Sequence, residues 1–178
     1  MRLLPPQPVL FERFLLPDLF TEHYYNVTPD LLAQLGISGL ICDIDNTLAP
    51  YEQPDPTPEL MQWFAAMTDA GIRIAFVSNN DASRVERFNR NLGYPAYPKS
   101  RKPLTGSVRR AMADMGTDVT TTAVLGDQLF TDAAAGKLCG LTAIIVPPIR
   151  DKKTLLFRIK RRLERPYMNL YRRRHMYG

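Results

Sequence analysis

From Gly39 onward the chain alternates short apolar runs with amphipathic stretches, and this alternation restricts the possible folds more than any other feature. The apolar runs are ISGLICDID, RIAFVSNN, TTAVLGD and LTAIIVPP. Between and after them lie TPELMQWFAAMTDAG, DASRVERFNRNLG, PLTGSVRRAMADMG and FTDAAAGKLCG. Apolar runs of this kind read as strands covered on both faces, and strands separated by helical segments pair in parallel, since each crossover lays its helix on a sheet face. The expected class is α/β: a Rossmann-like, mostly parallel sheet with helices on both faces. Thr57 before Pro58 marks one helix start and Gly71 its end; Asp81 is the expected cap of the next helix and Gly93 its stop. Lys102-Pro103 is expected to open the third helix.

A chain of 178 residues suits one domain with appendages. The expected division is an N-terminal segment over 1–38, the βα domain over 39–148 and a tail over 149–178. Prolines recur in LLPPQPVLFERFLLPDLF and disfavour a long helix there, so this segment should lie against the domain or another apolar surface. The formal charge of +5 is uneven: Arg150 to Gly178 holds 11 Lys/Arg and 2 Asp/Glu, net +9, which leaves −4 for the rest. The two cysteines, Cys42 and Cys139, lie in apolar or small-residue runs without CxxC spacing, which argues against a disulfide framework or zinc site and fits a reducing cytoplasm. No run approaches the ~20 apolar residues that cross a bilayer, and the first residues lack the pattern of a secretory leader, so a cytoplasmic location is expected. His23 and His175 are expected to be surface and tail residues.

The string ICDIDNTL sets Asp43 and Asp45 at alternate positions at the end of an apolar run, on the same side of a strand. Two carboxylates held close repel unless a cation or a proton neutralises them, and a hard divalent ion with oxygen ligands, Mg²⁺, would do so. The plainer reading is a strand entering a polar turn. Its neighbours weigh against that. VSNN offers the Ser78 hydroxyl and backbone amides, Lys102 precedes a helix, and GDQLFTD supplies Asp127 and Asp132. Each piece alone is weak; together, in this order and each near a strand end, they are specific, because ligands of open α/β sheets bind at that edge.

These residues resemble the four motifs of the haloacid-dehalogenase-like (HAD) phosphatase superfamily: DIDNT (Asp43 to Thr47), Ser78 in VSNN, Lys102, and GDQLFTD (Gly126 to Asp132). Within it, the chain is similar to the YqeG-type group, itself similar to mitochondrial phosphatidylglycerophosphate phosphatase. The resemblance implies Asp43 as nucleophile forming an aspartyl-phosphate and Asp45 as acid/base. It implies Mg²⁺ held by Asp43, the Asp45 carbonyl and Asp127, with Asp132 behind them orienting water or Lys102. Ser78 and Lys102 would clamp phosphate oxygens, with Thr47 and Asn79 in support, Thr47 fixing the loop and Asn79 contributing its amide. The gaps between motifs hold about one helix each, so no cap domain is expected, and an open site suits a bulky or surface-bound substrate.

In the tail, Leu155, Leu156, Ile159 and Leu163 fall on one helical stripe, with Lys153, Arg158 and Arg162 largely elsewhere. A basic amphipathic segment with aromatic residues suits an anionic membrane surface. The stripe could equally pack on the domain, and Arg clusters with Tyr also suit nucleic acid. The leading expectation is a Mg²⁺-dependent phosphatase acting on phosphatidylglycerophosphate, peripheral at the inner face of the membrane. The alternatives are a phosphatase of a soluble nucleotide, sugar phosphate or phosphoprotein, and an RNA- or ribosome-binding module with a vestigial catalytic domain.

Overall fold

The computed structural model describes residues 11–150 and 155–176 and, within the last helix, the side chains of 159 and 162–174. The strands are β1 (Leu19–Phe20), β2 (Gly39–Cys42), β3 (Arg73–Val77), β4 (Ala96–Tyr97), β5 (Thr122–Gly126) and β6 (Thr142–Ile145). They form one sheet in the order β1-β6-β5-β2-β3-β4, with every pairing parallel. The helices are α1 (Glu12–Leu15), α2 (Pro29–Gln34), α3 (Pro58–Asp69), α4 (Ala82–Asn89), α5 (Gly106–Met115), α6 (Ala134–Cys139) and α7 (Leu155–Met176). None of the described helices is long and apolar enough to cross a membrane.

Strand β2 explains the two-sided core. All four of its residues are buried, and successive side chains leave opposite faces. Leu40 and Cys42 join Leu60, Phe64, Phe76 and Phe88 on one side, whereas Ile41 joins Val77, Val108, Met112 and Val124 on the other. Each helix therefore needs only one apolar stripe. Thr57 caps α3 as expected, its Oγ1 accepting from Leu60 N at 3.2 Å, and Gly71 follows that helix at φ 80°. Asp81 precedes α4 but caps nothing; its carboxylate meets Lys99 Nζ at 3.3 Å instead. The third helix starts at Gly106 rather than at Pro103, so Lys102 sits in the turn ahead of it and its ammonium is free to face the sheet edge.

Between the Asp43 and Ser78 strings lies α3, and between Ser78 and Lys102 lie α4 and the two-residue β4. Neither gap holds a cap, so among the described residues no inserted domain covers the sheet edge. From β2 the chain proceeds to β3 and β4 on one side, then returns to β5 and β6 on the other. The reversal leaves a crevice between the ends of β2 and β5, the place where open α/β sheets bind ligands.

Both flanking segments meet this sheet. Leu19 and Phe20 add β1 beside β6, and Trp63 Nε1 donates to the Val27 carbonyl at 2.9 Å, fastening the N-terminal segment to α3. Helix α7 continues through Pro166 and docks by the face that carries Glu164, Tyr167 and Tyr171. Phe20 N donates to Tyr171 Oη at 2.9 Å, Tyr167 meets Phe130 edge-on with ring centroids 6.2 Å apart, and Arg174 pairs with Glu12 at 2.8 Å. Of the tail stripe, Ile159 and Leu163 are exposed at 47% and 56%, so the docked face is a different one. The side chains of Leu155, Leu156 and His175, and residues 1–10, lie outside the described residues.

Candidate active site

Asp43 is the first residue past β2, and its N–H still donates to the Leu125 carbonyl of β5 at 2.9 Å, so the sheet itself fixes where its carboxylate begins. Both carboxylate oxygens are held. Lys102 Nζ lies 2.8 Å from Oδ1, and Thr47 Oγ1 donates to Oδ2 at 3.0 Å. The intervening turn is built around Asn46, which adopts the left-handed region at φ 67°, a conformation asparagine tolerates better than most side chains. Asn46 N–H donates to the Ala49 carbonyl at 2.8 Å, and its Nδ2 donates to the Arg150 carbonyl at 3.0 Å. Thr47 is thus brought onto Asp43.

Lys102 is buried among carboxylates, 2.8 Å from Asp43 and 2.6 Å from Asp132. Burial pulls its ammonium toward losing a proton, but Asp132 and Asp43 outweigh that and hold it above its ordinary range. The loop presenting it carries two non-glycine residues in the left-handed region, Lys99 and Arg101, a conformation that costs on the order of 1 kcal/mol each and persists where surroundings enforce it. Asn79 does the enforcing: its Oδ1 accepts from Lys102 N at 2.6 Å and from Ser100 Oγ at 2.9 Å, and its Nδ2 donates to the Lys102 carbonyl at 3.2 Å. The Asn79 side chain is therefore committed to the loop that presents Lys102.

Asp127 follows β5 at the same edge, and Asp132 lies in the π-helical turn Leu129–Ala133. Ligand oxygens of Asp43, Asp127 and Asp132 all fall within 4.8 Å of one another, and all three residues are buried. Burial pushes the Asp43 carboxyl up to about 7, the Lys102 ammonium opposes this, and the neighbouring Asp132 and Asp45 add to the rise. Asp132 Oδ1 has no directed hydrogen bond and contacts the Lys102 ammonium only as an ion pair. Among the described residues these three acids bring only carboxylate oxygens together, and an oxygen-only donor set is the chemistry that hard divalent cations prefer. The residues fit a divalent metal.

The turn holding Asp132 depends on two neighbours. Glu164 of α7, only 2% exposed, accepts from Leu129 N at 2.9 Å and so ties the tail helix to this turn. Gly126 lets Asp132 approach the strand: a Cβ at Gly126 would stand 2.3 Å from Asp132 Cβ. Gly126→Ala is therefore expected to displace Asp132 from Lys102, lowering stability by about 1–3 kcal/mol and turnover with it. Thermal unfolding alongside a turnover assay checks this; an unaffected variant would remove Asp132 from the site.

A pocket of ≈ 410 Å³ opens above these groups, lined by Asp43, Asp45, Tyr51, Ser78, Asn79, Asn80, Lys102, Gln128, Thr131 and Asp132. Ser78 is buried beneath it, its Oγ accepting from Asn80 N at 3.1 Å. Asp45 occupies the wall, where Asn80 Nδ2 donates to Oδ2 at 2.8 Å and Arg84 Nε to Oδ1 at 3.0 Å. The structure brings all eight residues singled out from the sequence to this one edge, with Thr47 and Asp127 beside the pocket lining. It adds Tyr51, Asn80, Arg84, Gln128 and Thr131. Burial, then the charges of Asp43, Asp45, Asp127 and Asp132, raise the Tyr51 hydroxyl above its ordinary range, which keeps it a neutral phenol beside the acids. His23 stacks on Tyr25 in the N-terminal segment, and Cys42 and Cys139 are buried free thiols.

A parallel sheet with an acid-rich crevice at its switch point and one lysine among the acids makes a site for a divalent cation and an anionic ligand in an α/β protein. The sequence profile of the haloacid dehalogenase-like hydrolases matches residues 8–140, and the chain belongs to that family. It is 35% identical over 165 residues to the probable phosphatase YqeG of Bacillus subtilis (strain 168), spanning 93% of this chain and 96% of that protein. It is 26% identical over 165 residues to phosphatidylglycerophosphate phosphatase 1, chloroplastic/mitochondrial, of Arabidopsis thaliana, covering 85% of this chain but 47% of the plant protein. Among solved structures, the cobalt-bound deoxy-D-mannose-octulosonate 8-phosphate phosphatase of Haemophilus influenzae shares the fold at TM-score 0.50 and 16% identity, over 76% of this chain and 90% of that one. Family and site together make the chain a phosphoric monoester hydrolase.

Proposed function

We propose that the chain hydrolyses the terminal phosphate of phosphatidylglycerophosphate through an aspartyl-phosphate on Asp43, with Mg²⁺ as cofactor. The observation that carries the chemistry is the Asp43 carboxylate, held on one oxygen by Lys102 and on the other by Thr47 below an open pocket, with Asp45 on the wall. Asp43 attacks phosphorus while the bond to the alcohol oxygen breaks, and Asp45 gives that oxygen a proton. Asp45 then takes a proton from the water that cleaves the aspartyl-phosphate, releasing inorganic phosphate and restoring Asp43. Ser78 and Lys102 face the phosphate oxygens, over which the transition state spreads its charge. Asp43 and Asp127, with the Asp45 carbonyl, would hold Mg²⁺, and Asp132 would steady Lys102. Bound there, the ion offsets the charge of nucleophile and phosphate.

Three features favour a lipid substrate. The sheet edge has no cap to exclude a diacylglycerol body. The outward face of α7 shows Ile159 and Leu163 among exposed Arg162, Arg165, Arg172 and Arg173, a composition suited to an anionic bilayer. The plant relative is named for this reaction. The enzyme would then work at the inner face of the membrane. Phosphate release from phosphatidylglycerophosphate in mixed micelles, against a panel of soluble monoesters, with Mg²⁺ or EDTA, tests the reading. Lipid turnover abolished by EDTA is expected; turnover of soluble esters alone would move the substrate to a nucleotide, sugar phosphate or phosphoprotein. Binding of RNA with no turnover would leave a vestigial domain.

A further inference from the structure

Arg84 belongs neither to the family motifs nor to the pocket lining, and its surroundings are unlike those of the next arginine on the same helix. One turn further along α4, Arg87 pairs with Asp55 with both side chains more than half exposed. The Arg84 side chain is 12% exposed and its partner Asp45 5%. Its guanidinium makes three directed contacts: Nε to Asp45 Oδ1 at 3.0 Å, Nη1 to the Pro54 carbonyl at 3.0 Å and Nη2 to the Pro50 carbonyl at 3.4 Å. The Phe88 ring backs it, 5.3 Å from Cζ to the centroid. A planar fork braced on two carbonyls and a ring has little freedom left, which a lysine at the same position could not reproduce.

We propose that Arg84 is a positioning residue for the leaving-group side of the reaction: braced by the Pro50 and Pro54 carbonyls, it sets the angle at which the Asp45 carboxylate meets the departing alcohol. Asn80 fixes the other oxygen, so the carboxylate is gripped at both ends. The fork also ties Asp45 to the segment over 50–54, which contributes Tyr51 to the pocket wall. Misplacing the Asp45 carboxylate takes its proton out of hydrogen-bond reach of the alcohol oxygen, whereas the attack on phosphorus comes from Asp43, which Lys102 and Thr47 hold.

The inference rests on the reading of Asp45 as acid/base, and kcat/KM separates the two, since it reports the step in which the alcohol leaves. The substrates are phosphatidylglycerophosphate in mixed micelles, whose alcohol needs a proton to depart, and p-nitrophenyl phosphate, whose phenolate does not. With Mg²⁺ present, Arg84→Met is expected to lower kcat/KM for the alkyl ester by about 10–100-fold and to affect the aryl ester far less. The aryl activity serves as the control for folding. In an Asp45→Asn background, Arg84→Met should add no further alkyl-ester loss. Equal losses on both esters, or a full additional loss in the Asp45→Asn background, overturn the role of Arg84. If Asp45→Asn itself leaves the alkyl-to-aryl ratio unchanged, the acid/base reading of Asp45 fails and takes this inference with it. Should Arg84→Met not fold, Arg84→Lys gives the same readout, keeping a cation that cannot reach Asp45 and both carbonyls at once.

Discussion

Asp43→Asn should abolish turnover, with a loss of at least about 10³-fold, while leaving the protein folded and, without metal, more stable than the parent at neutral pH. The first half follows from the proposed covalent step: an amide at this position is a poor nucleophile. The second half follows from the electrostatics. Burial raises the folded-state pKa of Asp43 from 3.8 to about 7, so between those values the folded protein binds more protons than the unfolded chain. Stability contributed by such a group is present at low pH and falls as pH rises through the window. An asparagine carries no such dependence. In EDTA, the difference in melting temperature between Asp43→Asn and the parent should therefore grow from pH 4 toward pH 7.5, and Mg²⁺ should raise the parent more than the variant. Thermal unfolding across pH, with and without metal, reads both. A variant that melts below the parent at pH 7.5 in EDTA would show that Asp43 is a structural partner of Lys102 rather than a strained functional group.

The second large effect belongs to Lys102→Met. Here the cation is removed and the acids remain, the opposite imbalance. Breaking a buried ion pair from one side typically costs about 3 kcal/mol or more, because the remaining charges lose their compensation. Asp43 and Asp132 both contact this ammonium within 2.8 Å, so both would be left in excess. Turnover should disappear, and the lost stability should return in part with millimolar Mg²⁺, since a divalent ion neutralises the same oxygens. Chemical denaturation at several Mg²⁺ concentrations measures this. A variant as stable as the parent without metal would contradict the contacts described.

The sheet and the motif residues were legible because their signals are local. Four strands announce themselves as apolar runs; Asp43, Ser78 and Asp127 follow from where those runs end, and Lys102 from the start of the helical stretch that follows. Strands β1 and β4 were not foreseen; each has two residues of intermediate burial, too short for any periodicity to register. Arg84 sits in DASRVERF, where an arginine on an amphipathic helix reads as a solvated residue, and Asn80 reads as part of a turn. Their pairing with Asp45 spans 39 and 35 positions and has no local signature. The tail shows the limit of stripe counting. Leucine and isoleucine spacing marked a stripe through Ile159 and Leu163 without saying which face docks, and the docking face is another, with Tyr167, Tyr171 and a buried glutamate whose partner is a backbone amide of the catalytic turn. No residue pattern marks an acid as buried when what it binds is a main-chain N–H.

The pairing of β1 with β6 carries a consequence for how the chain is made. Asp18 exchanges hydrogen bonds with Ala143, 125 positions later, so the earliest made of the described strands is the last of them to find its neighbour. At translation speeds of roughly 5–20 residues per second, Leu19 and Phe20 wait some 6–25 seconds for β6 to emerge. Tyr171, which caps the Phe20 amide, comes later still. During synthesis this edge is an apolar segment without its sheet, and the nascent protein should depend on holding chaperones most in that interval.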